Sequence, residues 1–185
     1  MIEEIREVDK SWTLFLDRDG VINQRIYGGY ITQPEEFKFL PGVLSGLREF
    51  ANRFGRICIV TNQQGVGKGF MTENQLEAVH QYMQSEIEKA GGRIDRIYYC
   101  PDLAISANNC RKPGIKMALQ AKTDFPEIDF AKSMMVGDSL SDMEFGKNAG
   151  MVTIYVKHNY EPNEHQFDAV VDGLSELAGW LTKYH

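Results

Sequence analysis

Five short apolar runs recur along the chain, WTLFL, RICIVT, RIYYC, KSMMVGD and VTIYV, and the segments between them carry apolar residues at helical spacing. Val43, Leu47, Phe50, Ala51 and Phe54 form one such stripe; Leu76, Val79, Met83, Ile87 and Ala90 form another. Thr72 followed by Gln75 is a capping-box pattern that starts the second helix, and Gly91-Gly92 stops it. Pro113 suits the first turn of a third helix ending near Asp124. A fourth helix reaches Asn148 before Gly150, DAVV reads as a short sixth strand, and Leu174, Leu177, Ala178 and Leu181 mark a last amphipathic helix. Strands that alternate with helices run mainly parallel, because each crossover returns the chain to the same edge of the sheet, and the helices then cover both faces. No internal repeat or low-complexity segment interrupts the pattern, so the expectation for 185 residues is one domain over 1–185.

Composition narrows the partners. A hydrophobic fraction of 43% with 25% charged residues is that of a globular chain able to bury a core. A net charge of −6 argues against a sequence-independent nucleic-acid binder, although a few local cations can still hold a small anion. The segment MIEEIREVDK is too charged for a secretory leader, and no apolar run reaches the length of a membrane span. The expectation is a cytoplasmic monomer with no membrane or nucleic-acid partner. Cys58, Cys100 and Cys110 are an odd number in such a chain and read as reduced thiols.

In a parallel α/β sheet, ligands sit beyond the carboxyl ends of the strands, near the point where strand order reverses. The polar residues at those ends are therefore the candidates. Strand one ends in Asp17-Arg18-Asp19-Gly20, strand two in Thr61-Asn62-Gln63-Gln64, and strand four in Gly137-Asp138-Ser139, with Asp142 a helical turn later. Lys112 stands just before the Pro113 helix. Each fits one task in phosphoryl transfer. Asp17 can attack phosphorus with one oxygen and bind a hard cation such as Mg²⁺ with the other. Asp19, two residues on in an extended chain, points the same way and can serve as acid and then base. Asp138 adds a metal oxygen, Thr61 can donate to a phosphoryl oxygen, and Lys112 can neutralise its charge. Asp142 can anchor Lys112 or the water shell of the metal. Taken singly each has a plainer origin: D-x-D-G is a turn, and aspartates cap helices. Their shared position and common order along the chain favour a site.

LDRDGVIN, VTNQQG, CRKPG and VGDSLSDM resemble the four motifs of the haloacid dehalogenase (HAD) superfamily, over roughly residues 12–156. The resemblance implies a Rossmann-like core, an aspartyl-phosphate intermediate on Asp17, and Mg²⁺ held by Asp17, Asp19 and Asp138. The acid at Asp19 is a feature of the phosphatases and phosphomutases of the superfamily rather than of its dehalogenases. GGYI, FKFLPGV, TNQQGVGKG and CRKPGIKMA are further similar to the heptose bisphosphate and histidinol-phosphate phosphatases, with GGYI closer to the heptose enzymes. Short intervals between motifs leave no room for a large cap domain, so the site is closed only by the loops Gln24 to Glu36 and Asp102 to Arg111. The resemblance further implies that Asn62, Gln63, Gln64 and Arg111 contact substrate.

The family's zinc loop, C-x-H with C-x-C, is incomplete here, since the chain has Cys100-Pro-Asp102 and Asn108-Asn109-Cys110. Two of four ligand positions are lost, so no closed zinc site is expected and Cys100 and Cys110 are read as free thiols. GVGKG lacks the full phosphate-loop pattern. His80, on or beside an apolar helix face, reads as a packed histidine, and His158, His165 and His185 have no metal-ligand spacing. Tyr98 and Tyr99 read as strand packing. The expected protein is a Mg²⁺-dependent phosphatase of a small phosphorylated sugar, D-glycero-D-manno-heptose 1,7-bisphosphate before histidinol phosphate or another phosphomonoester. The rival from another class is a non-catalytic binder of phosphorylated ligands.

Overall fold

The computed structural model describes residues 3–157 and 167–183; His158, His165 and His185 lie outside them. Its elements are β1 (Thr13–Leu16), α1 (Val43–Arg53), β2 (Arg56–Asn62), α2 (Gln64–Gly67), α3 (Glu73–Lys89), β3 (Arg96–Cys100), α4 (Lys116–Asp124), β4 (Ser133–Gly137), α5 (Leu140–Ala149), β5 (Val152–Val156), β6 (Ala169–Val171) and α6 (Leu174–Lys183). The strands form one sheet in the order β3-β2-β1-β4-β5-β6, and every pair is parallel. The chain works outward from β1 to β3, returns to the other side of β1, and works outward again. The reversal falls between β1 and β4, where such sheets bind ligands.

Strand periodicity sorts the core into two layers. Leu14, Leu16, Ile57, Ile59, Met134 and Val136 face one side and meet residues of α1, α3 and α6. Phe15, Cys58, Val60 and Met135 face the other and meet Met117, Ala118 and Ala121 of α4 and Phe145 of α5. Burial on both faces explains why these strands read as continuous apolar runs rather than alternating ones. Helix ends follow local chemistry. Thr72 and Gln75 close the expected capping box on α3. Ser139 and Asp142 form a second box on α5, whose C-cap is Gly150 at φ 80°.

Two expectations are corrected. Helix α4 begins at Lys116, not Pro113, because the Gly114 N–H donates to the Arg111 carbonyl in a turn that precedes the helix. Cys100 and Cys110 are joined in a disulfide, not free. The Asp102 carboxylate accepts the Cys110 N–H at 2.9 Å and folds the loop back to the end of β3, which sets the two Cα atoms 5.5 Å apart, within disulfide range. Spacing along the sequence did not reveal that return. Cys58 is free and buried.

Residues 17–42 and 101–115 run over the carboxyl edge of the sheet with little regular structure beyond a 3-10 turn at Pro34–Glu36 and isolated bridges of Asn23. Among the described residues no cap domain covers that edge, and no helix is long and apolar enough to cross a membrane.

Candidate active site

The run of β1 ends on Asp17, whose N–H donates to the Val136 carbonyl of β4 at 2.9 Å, so the first carboxylate is fixed at the strand-order reversal. Asp17 is buried. An isolated carboxylate would not tolerate that, and the compensation is Lys112. The Lys112 ammonium donates to Asp17 Oδ1 at 2.7 Å and to the Val60 carbonyl at 2.7 Å, and lies 2.5 Å from Asp142 Oδ1. Two of these contacts are hydrogen bonds and the third is an ion pair. Burial opposes the charge of Lys112, and the carboxylates of Asp142 and Asp17 overcome it, holding the ammonium above its ordinary pKa.

Asp138 follows β4, and its Oδ1 accepts from Arg25 Nη2 at 3.1 Å; the same nitrogen lies 3.9 Å from Asp17 Oδ2. Oxygens of Asp17, Asp138 and Asp142 lie within 4.8 Å of one another. Burial first, with the neighbouring carboxylates adding to it, pushes Asp17 up to about 7 against the pull of Lys112. Burial likewise pushes Asp138 up to about 6. Three hard oxygen donors crowded together, with a guanidinium drawn between two of them, fit a divalent cation such as Mg²⁺. The packing admits no larger residue beside them. A Cβ on Gly20 (φ 95°) would meet Asp138 Oδ2 at 2.0 Å, and one on Gly137 would meet the Cβ of Asp142 at 2.2 Å.

Asp19 stands apart from this group. Its carboxylate accepts from Arg18 Nη2 with both oxygens at 2.9 Å, from Asn23 Nδ2 at 2.9 Å and from Gln63 Nε2 at 2.9 Å. Burial alone would raise its pKa; Arg18, Asn23 and Gln63 outweigh that and lower it. The other expected residues divide by task. Thr61 is buried, and its hydroxyl accepts from Gln63 Nε2 at 2.9 Å, which leaves its own proton to donate. Asn62 brackets the main chain of Lys112, accepting its N–H at 3.0 Å and donating to its carbonyl at 3.3 Å. Gln63 is buried and directs its amide protons to Asp19 and Thr61. Gln64 opens α2, and Arg111, half-buried, donates to the Asp102 carbonyl at 3.4 Å. Asp142 anchors Lys112 with one oxygen and takes the N–H and hydroxyl of Ser139 with the other.

Two adjoining cavities open over these groups. One of about 260 Å³ holds Asp17, Thr61, Arg111, Lys112 and Asp142; the other, about 350 Å³, is walled by Arg18, Tyr30, Gln63, Gln64 and Lys68. Asp19, Arg25 and Asn62 border both. Sequence reasoning missed Arg18, Asn23, Arg25 and the part played by His80. A cation set between two aspartates was a signal for Arg18; nothing local marked Arg25.

A carboxylate at the end of β1, a lysine before α4 and an aspartate after β4, on a sheet of this order, define a hydrolase of the haloacid dehalogenase class. A family model described as HAD-hydrolase-like matches residues 109–177. The D-glycero-alpha-D-manno-heptose-1,7-bisphosphate 7-phosphatase of Campylobacter jejuni is 39% identical over 93% of this chain and 96% of its own. The D-glycero-beta-D-manno-heptose-1,7-bisphosphate 7-phosphatase of Salmonella typhi is 34% identical over 92% and 95%. The crystal structure of D,D-heptose 1,7-bisphosphate phosphatase from B. bronchiseptica, complexed with magnesium and phosphate, superposes with a TM-score of 0.84 at 28% identity, covering 94% of this chain and 99% of that one. The chain belongs to the D-glycero-D-manno-heptose-1,7-bisphosphate 7-phosphatase family.

Proposed function

We propose that this chain is a Mg²⁺-dependent phosphatase that removes the 7-phosphate of D-glycero-D-manno-heptose 1,7-bisphosphate. The observation that carries the proposal is the division of the Asp17 carboxylate: Oδ1 takes the Lys112 ammonium, and Oδ2 faces the Arg25 guanidinium beside Asp138. One carboxylate so divided can bind a cation and still present an oxygen to phosphorus. The two cavities match a substrate with a reacting phosphate and a polar remainder. Lys112 serves the reacting phosphate in the smaller cavity, Arg111 stands on the loop at its edge, and Arg25 and Lys68 put positive charge along the larger one, where a second phosphate would be held.

Asp17 and Asp138 would hold Mg²⁺ through their carboxylates, with Asp19 the third residue expected at the ion. The bound ion supplies positive charge that neutralises the phosphoryl oxygens and keeps Asp17 ionised. Asp17 attacks phosphorus, the P–O bond to the sugar breaks, and Asp19, which takes up a proton first because Arg18, Asn23 and Gln63 hold it ionised in the free protein, gives that proton to the leaving oxygen. Water then attacks the aspartyl-phosphate, its proton passes to Asp19, and inorganic phosphate leaves with Asp17 restored. Thr61 and Lys112 hold the phosphoryl oxygens throughout.

The test is phosphate release with Mg²⁺ from both anomers of the heptose bisphosphate, from histidinol phosphate and from 4-nitrophenyl phosphate, each compared with Asp17→Asn. Selective turnover of the bisphosphate, lost by at least ~10³-fold in Asp17→Asn, is expected for removal of a nucleophile. Selectivity for histidinol phosphate would replace the substrate. Release no faster than that of Asp17→Asn would leave a phosphate-ligand binder instead.

A further inference from the structure

Arg18, between the two aspartates, is 1% exposed. A guanidinium has five donors, no acceptor, and no accessible neutral form, so its burial demands acceptors around it. On one side its Nη2 donates to both oxygens of Asp19. On the other, Nη1 lies 3.1 Å from Nε2 of His80. Nε is buried without a partner among the described residues. His80 projects from the inner face of α3 beside Leu76, Val79 and Met83, 4% exposed, with its ring centroid 6.0 Å from that of Tyr99. Because arginine only donates, Nε2 of His80 accepts, and the ring proton belongs on Nδ1. Burial, and after it the charge of Arg18, pulls the His80 pKa down to about 3, so the ring is a neutral acceptor near neutral pH.

We infer that Arg18 and His80 are a positioning pair for the acid–base step: His80, acting through Arg18, fixes the Asp19 carboxylate on the border between the two cavities. That border is where the oxygen linking phosphate to sugar lies when the two occupy separate cavities. Asn23 and Gln63 constrain Asp19 from two further directions, but neither reaches His80. Without an acceptor at position 80, Nη1 is left buried and unpaired. The guanidinium then turns to find another partner, and the carboxylate it holds turns with it. The inference rests on the phosphatase reading and adds two residues to it.

The experiment compares wild type, His80→Leu and His80→Gln on two substrates. The heptose bisphosphate releases an alkoxide that needs a proton; 4-nitrophenyl phosphate releases a phenolate that does not. General acid catalysis contributes about 10²–10⁴-fold, so His80→Leu is expected to lower kcat on the bisphosphate by roughly 10–100-fold. KM should hold, and turnover of the aryl phosphate should change less than about threefold. His80→Gln, whose side-chain carbonyl supplies an acceptor, is expected to recover most of the loss. Equal slowing on both substrates, a change in KM alone, or no rescue by glutamine overturns the pair. Should His80→Leu fail to fold, ¹⁵N shifts of the His80 ring in the wild-type protein decide: an Nδ1-protonated ring supports the pairing, and an Nε2-protonated ring refutes it. Wild type no faster than Asp17→Asn would remove the phosphatase reading and the pair together. An active wild type with substrate-independent effects removes the pair alone.

Discussion

Arg111 and Lys112 are neighbours in the chain and belong to regions built by different means. Lys112 is held at both ends, its main chain by the Asn62 amide and its ammonium by Asp17, Asp142 and the Val60 carbonyl. Arg111 is half-buried, and the side-chain tie to its loop is one 3.4 Å hydrogen bond to the Asp102 carbonyl. The first belongs to a floor gathered at the strand ends, where Lys112 and Arg25 face the carboxylates of Asp17, Asp138 and Asp142 and glycines admit no larger residue. The second belongs to a rim made by loops, where Tyr27 and Ile105 stand exposed. Under the proposed function, chemistry falls to the sheet and selection of the leaving group to the loops, a division that α/β folds make repeatedly.

Lys112→Met attacks the floor and has the largest expected effect. Breaking a buried ion pair by removing one partner costs about 3–5 kcal/mol, and removing a donor to the transferring group costs about 10²–10³-fold in kcat. Both substrates should suffer alike, because the phosphoryl group is common to them. Denaturant unfolding and turnover check this; a variant as stable as wild type would erase the distinction between floor and rim.

Metal removal tests the floor by another route. In the metal-free protein Asp17 is pushed to about 7 and Asp138 to about 6, from an ordinary 3.8. Over that interval the folded state keeps protons that the unfolded chain has released, so these two groups make stability fall as pH rises from about 4 to 7. Asp19, with its pKa lowered, acts in the opposite sense below about pH 4. Mg²⁺ at about 100 times its Kd should add about 2.7 kcal/mol and flatten the slope, because it favours the ionised carboxylates. Thermal midpoints from about pH 5 to 8, with Mg²⁺ or with chelator, measure both effects. An absent Mg²⁺ shift near pH 7.5 would place the ion elsewhere.

Arg111→Ala tests the rim. A hydrogen bond to a charged group contributes about 1.5–3 kcal/mol, so kcat/KM for the bisphosphate should fall roughly 10–100-fold, mainly through KM. Turnover of 4-nitrophenyl phosphate should stay within about threefold, and the stability of the fold should not change. A matching loss on the aryl phosphate would move Arg111 into the floor.

The same division explains what the sequence revealed. Asp17, Thr61 and Asp138 sit at ends of apolar runs, Asp142 a helical turn later and Lys112 just before the next helix, and a parallel sheet brings all of these to one edge, so they could be grouped without coordinates. The capping box at Thr72 and the stripe of α6 were legible because helix chemistry is local. Arg25 was not, because what brings it to Asp138 is the path of an irregular loop, which no periodicity encodes. His80 was legible as a buried residue, but its partner lies 62 positions away, and Arg18 was hidden by the aspartates beside it. The α4 start was misplaced for a related reason: proline tolerates a first helical turn but does not require one.

The smallest expected effect marks where the two regions meet. Cys100 ends β3 in the floor, and the disulfide ties to it Cys110, the residue before Arg111. Cys110→Ser removes that tie and leaves the loop held by the main-chain N–H of residue 110 on Asp102 and by the hydrogen bonds of Arg111 to Asp102 and Lys116 to Asn108. The disturbance should pass to Arg111 and stop at Lys112, which four contacts to Asn62, Asp17, Asp142 and Val60 hold independently. Two measurements follow from that boundary. KM for the bisphosphate should rise by roughly threefold, less than when Arg111 itself is removed, while kcat on either substrate stays unchanged. Cys100→Ser should do the same, and the double variant no more, because either change breaks one shared bond and such effects are not additive. A fall in kcat would mean that the loop reaches the floor through Lys112, and the boundary between Arg111 and Lys112 would have to be withdrawn.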